Sequence, residues 1–127
     1  MIDGMATAVE SRSVQQSAEF LDDNYSDERH PSRRAAVQSL LLYLRGHSNI
    51  HLFTHIRSIT VDAAGDRANA VVMVATAGVP VESVDVLISV KADLYRFDIE
   101  AIRIDDVWRI AKARWQRADL SDLTSSD

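Results

Sequence analysis

With 127 residues, 46% of them hydrophobic, the chain is long enough to build one packed core and too short for two. A formal net charge of -5 works against general nucleic-acid binding, and the absence of cysteine excludes disulfides, thiolate metal sites and a cysteine nucleophile. The first ten residues lack the basic start and unbroken apolar stretch of a signal peptide, and no later run is long enough to span a bilayer, so a cytoplasmic protein is expected.

From Met5 to Tyr25, the residues Val14, Ala18, Leu21 and Tyr25 recur at helical spacing and line one side of an amphipathic first helix. Asp22, Asp23, Asp27 and Glu28 oppose the helix dipole at its C-terminal end, which predicts a stop near Asp23. A polar connector from Ser26 to His30 follows. Pro31 suits the first turn of a second helix, whose apolar positions are Ala36, Val37, Leu40, Leu41 and Leu44, and Gly46 offers a stop that can take a positive φ.

From Ile50 the period changes to two. Ile56–Val61 and Ala70–Val74 read as strands joined by a turn over Asp62–Asp66, with Gly65 free to turn left-handed. Ile50, Leu52 and Ile56 share one parity and Ile59 and Val61 the other, a phase slip that predicts a β-bulge near Arg57 and Ser58. Gly78–Glu82 breaks the second strand, and the stretch to Val90 reads either as a loop with a short helix or as an extended entry to the next strand. The segment 119–127 reads as a flexible polar tail, leaving a single domain over 1–118.

The last third of the chain alternates apolar and polar residues on both sides of Asp105-Asp106, the form of a long antiparallel hairpin. If that pair is a two-residue turn and the register is unbroken, one face carries Tyr95, Phe97, Ile99, Ala101, Trp108 and Ile110 and is expected to form the core. The other face then carries Leu94, Arg96, Asp98, Glu100, Ile102, Arg109, Ala111, Ala113 and Trp115. On this register Arg96 lies over Trp115, and Asp98 stands opposite Ala113. Alanines and a tryptophan on an outward face suggest that it is covered, which predicts a homodimer interface built from Arg96, Asp98, Ala111, Ala113 and Trp115.

Helices followed by a bent antiparallel sheet, with Asp105-Asp-Val-Trp-Arg-Ile110 opening the last strand and Asp93-Leu-Tyr-Arg-Phe-Asp98 before it, resemble the nuclear transport factor 2-like superfamily. That superfamily includes ketosteroid isomerase-like, scytalone dehydratase-like and polyketide cyclase-like (SnoaL-like) proteins. The resemblance implies an α+β, cystatin-like cone: two or three N-terminal helices on a curved antiparallel sheet of about four strands. It also implies a pocket at the open end and dimerisation through the outer face of the sheet. Fold alone leaves function open.

An isomerase of this kind needs a carboxylate base in an apolar pocket and a hydroxyl donating to the developing oxyanion. Asp98 or Glu100 could be the base, Tyr43 or Tyr95 the donor, and His55 a polar pocket residue. The plainer reading makes the acids surface charges paired with Arg96 and Arg109. Tyr43, His55, Tyr95, Phe97 and Trp108 are the candidate ligand-binding residues. His51 and His55 share a strand face without a third ligand, so no metal is expected, and no motif asks for a cofactor. Arg29, His30, Arg33 and Arg34 form a basic patch that could hold an anion, and the plainer reading makes it a solvated face balancing Asp22, Asp23, Asp27 and Glu28. The leading expectation is a non-catalytic, homodimeric small-molecule-binding domain with an apolar pocket. The alternatives are an isomerase, dehydratase or cyclase acting on a hydrophobic ring or polyketide-like substrate, and a protein–protein interaction module.

Overall fold

The chain runs α1 (Ile2–Glu10), α2 (Val14–Ala18), β1 (Leu21–Asp27), α3 (Arg33–Gly46), β2 (His51–Val61), β3 (Arg67–Ala77), β4 (Asp93–Ile104) and β5 (Val107–Arg117) in the computed structural model, which describes residues 2–47, 50–77 and 93–119. The strands form one sheet in the order β1-β5-β4-β3-β2, antiparallel except where β1 runs parallel to β5. A few short helices on a five-stranded mixed sheet is the expected fold class with one strand more than predicted. Among the described residues no helix is long and apolar enough to cross a membrane.

The additional strand comes from the predicted first helix. That helix breaks at Arg12, whose φ of 65° is left-handed, and Ser13 then caps α2 by accepting from the Gln16 N–H. Helix ends at Ala18, and Leu21 and Tyr25 reach the core from a strand, where their helical spacing is accidental. Arg12 is held in this conformation by its guanidinium, which donates to the Leu44 and His47 carbonyls at the C-terminus of α3. Pro31 precedes the N-cap of α3, Ser32, rather than sitting in its first turn. Gly46 ends that helix without a positive φ, since the extended His47 caps it.

The first hairpin follows the sequence closely. β2 pairs with β3 around a bulge between Ile56 and Ser58, and the turn places Gly65 at φ 76° while the Asp62 carboxylate accepts from the Gly65, Asp66 and Arg67 N–H groups. The stretch from Gly78 to Val90 and the tail beyond Asp119 lie outside the described residues.

The last hairpin turns at Asp105 and Asp106, with φ 53° and 64°, the paired left-handed residues of a type I′ turn. Register holds from Ile104–Val107 as far as Ala101–Ile110, then slips by one at a bulge on Ala111, so that Glu100 pairs with Lys112, Ile99 with Ala113 and Phe97 with Trp115. One extra residue reverses every side chain beyond it. Ala113 and Trp115 therefore lie on the same side as Ile99 and Phe97, not on the outer face as an unbroken register requires.

The main core lies on this helix side. Leu21, Tyr25, Val72, Ile99 and Ile110 are buried there against Met5 of α1 and Ala36 and Val37 of α3. The opposite side carries no described helix. At one end of it Met73, Ala75 and Leu94 are buried with Phe53 and Ala118, the latter bonded back to the Leu94 carbonyl. Toward the hairpin tip that side stays open.

Candidate functional site

Two places gather polar chemistry. The first is a trough of about 570 Å³ on the open side of the sheet. Alternation along β2, β3, β4 and β5 points Ser58 and Thr60, Asn69 and Val71, Asp98 and Glu100, and Lys112 and Arg114 into it, with Glu28 at its edge. Its charges are matched. Arg96 meets Asp98 at 3.3 Å, Arg114 meets Glu28 at 3.2 Å, and Glu100 stands in register with Lys112.

The second lies on the helix side, where β1 leads into α3. The side chain of Asp27 is 1% exposed. Its carboxylate accepts from the Tyr25 hydroxyl at 2.5 Å, from the Arg29 and His30 N–H groups at 2.8 and 2.7 Å, and from His30 Nδ1 at 3.0 Å. Burial raises its pKa, but these donors outweigh the desolvation and hold the carboxyl below the ordinary range. Burial first, then the bond to Asp27 and its charge, push the Tyr25 hydroxyl far above the ordinary tyrosine range, so it remains a donor. The His30 ring lies parallel to Trp115 at 6.0 Å, Arg29 covers Trp115 at 5.0 Å, and Trp115 stacks on Phe97 at 5.7 Å. The guanidinium over Trp115 is thus that of Arg29, and not Arg96.

The predicted site residues do not converge. Tyr43 sits on an exposed part of α3 and stacks on His47 at 4.1 Å, whereas Asp98 lies on the far side of the sheet in its ion pair with Arg96. His55 is exposed on β2 opposite Met73, two strands from Asp98. Tyr95, Phe97 and Trp108 share the helix side, with Arg117 over Tyr95 and Arg103 over Trp108. Of the predicted interface residues, Arg96 and Asp98 face the open side, Ala111 forms the bulge, and Ala113 and Trp115 face the helices. Among the described residues no group of three or more potential ligands could hold a metal ion.

Sequence reading missed Tyr25, Asp27 and His30 because it placed the first inside a helix and counted the others among solvated charges. A usable signal was there: an aspartate three residues before a histidine, directly ahead of Pro31 and Ser32 at a helix start, is a natural acceptor for that turn.

No protein-family model matches the sequence, and no curated protein does. Solved structures do. A Thiobacillus denitrificans ATCC 25259 protein named for the calcium/calmodulin-dependent protein kinase type II association domain superposes with a TM-score of 0.73 at 14% identity, over 93% of this chain and 92% of that one. An uncharacterised Caulobacter vibrioides protein with a cystatin-like fold gives 0.71 at 16% identity over 97% and 88%. An NTF2-like protein of unknown function from Pseudomonas putida KT2440 gives 0.64 at 17% identity over 91% and 80%. Helix order, the mixed sheet and these superpositions agree: the chain has the cystatin-like, nuclear transport factor 2-like fold.

Proposed function

We propose that the chain is a cytoplasmic, non-catalytic association domain that works as a homodimer joined through the open side of its sheet. The observation that carries this reading is the charge pattern of that side. An isologous interface needs a patch complementary to itself, and here acids and bases alternate across β4 and β5: Arg96 with Asp98, Glu100 with Lys112, Arg114 with Glu28. Ile102, Ile104 and Val107, half-buried or exposed on the same side near the hairpin tip, add apolar surface. The similarity to a protein named for an association domain is in keeping with it. A small ligand in the trough would meet Asp98, Glu100, Lys112 and Arg114 together with apolar Val71.

Light scattering on a sizing column tests the dimer. The wild type should elute with twice the chain mass, and Lys112→Glu, which sets like charges against Glu100, should weaken association by at least about tenfold. A monomeric wild type at micromolar concentration would remove this reading. An Ala113→Arg variant, the choice an unbroken register would suggest, would instead damage the helix-side core.

The enzyme reading has a separate support. Asp27 holds His30 through Nδ1, which leaves Nε2 as the nitrogen able to exchange a proton with a dehydratase or isomerase substrate. Loss of turnover in folded His30→Gln would favour it; unchanged turnover of any substrate found would discard His30.

A further inference from the structure

We infer that β2, beyond its bulge, pairs edge to edge with the β2 of a second copy about a two-fold axis through Thr60, giving the chain a second interface separate from the open side of the sheet.

Among the described residues β2 is the last strand of the sheet, so one edge of its backbone has no strand beside it. Its first half is guarded: Glu10 of α1 accepts from the outward Leu52 N–H at 3.1 Å. The bulge after Ile56 then shifts the strand by one residue, and Ser58 to Val61 are exposed beyond it. Ile59 is 56% exposed and Val61 50%. Those four residues contain no charge and no proline, the usual guards of a free edge.

Backbone direction singles out two of them. The Asp62 N–H turns inward to the Arg67 carbonyl at 2.9 Å, and alternation therefore turns the N–H and C=O groups of Ile59 and Val61 outward. Register with β3 puts both side chains on the helix side, opposite Ala70 and Ala68, while Ser58 and Thr60 face the other way.

A second copy satisfies all of these groups at once. With the axis at Thr60, Ile59 of each copy stands opposite Val61 of the other, and each such pair exchanges two main-chain bonds, roughly four in all. The same pairing sets β-branched apolar side chains against one another twice on one face and threonine against threonine on the other, both favourable cross-strand combinations. No like charges meet within the paired segment. Combined with a dimer through the open side, two different two-fold contacts on one chain lead to a tetramer or an extended array.

Amide hydrogen exchange at Ile59 and Val61, compared between dilute and concentrated protein, tests the pairing directly. Exchange at both amides should slow by about tenfold or more on concentration, and Ile59→Lys should abolish that slowing while circular dichroism stays native. Ile59→Pro, which removes that outward N–H, should abolish the slowing at the Val61 amide. Lys112→Glu should leave it intact, because Lys112 stands on β5, three strands from the paired edge. Exchange that ignores concentration would overturn the second copy as occupant and leave a strand of another protein in its place. Loss of the slowing in Lys112→Glu would overturn the independence of the two interfaces.

Discussion

Asp27 is the side chain on which the junction between β1 and α3 depends, because it gathers four donors from Tyr25, Arg29 and His30 into one buried carboxylate. Asp27→Ala leaves the Tyr25 hydroxyl buried without its acceptor and should cost about 2–3 kcal/mol in denaturant unfolding. The same geometry sets a pH dependence. A carboxyl held below its ordinary range contributes stability that is complete above the unfolded value, near pH 4, and is lost as pH falls through the folded value. Thermal melts of the wild type should therefore fall more steeply below about pH 4 than those of Asp27→Asn. Arg12 combines left-handed strain with bonds to the end of α3, and substitution separates the two. Arg12→Ala keeps the strain and loses the bonds, costing about 1–2 kcal/mol, whereas Arg12→Gly should cost less by several tenths because glycine accepts that φ. Equal losses in chemical denaturation would deny the strain.

At the scale of elements, the two hairpins show how local chemistry sets a turn and how a bulge sets what lies beyond it. Asp105 and Asp106 both take φ values that glycine adopts freely, so Asp106→Gly should stabilise the protein by about 0.5–1 kcal/mol, measured as a raised melting temperature. Their acidic pair marked the turn in the sequence, and the phase slip at Arg57 and Ser58 marked the first bulge. The second bulge carried no such mark. Both parities around Ala111 are mixed, with Arg109 and Lys112 flanking small alanines, so nothing in the alternation shows that Ala113 and Trp115 change sides. β1 was hidden for the opposite reason: its apolar residues happen to fit a helical period, and what makes it a strand is the parallel edge of β5, some ninety residues further on.

For the whole molecule, the open side of the sheet and the edge of β2 beyond its bulge are two surfaces that no described helix covers. If matched charges join the open sides, the dimer should dissociate more readily as salt is raised, whereas edge pairing, built from main-chain bonds and Ile59 and Val61, should barely respond; sedimentation at two ionic strengths separates them. The candidate site was the least legible part, since Asp27, His30 and Trp115 come from the end of β1, the turn after it and a distant strand, and meet only after the bulge has moved Trp115 to the helix side. By itself the sequence determined the α+β class, the second helix, both hairpin turns and the first bulge, because each rests on periodicity or turn chemistry within a short window. Only the tertiary structure decided the fifth strand, the register of the last hairpin beyond Ala111 and the side on which each candidate residue stands, because those depend on pairing between segments far apart in the chain.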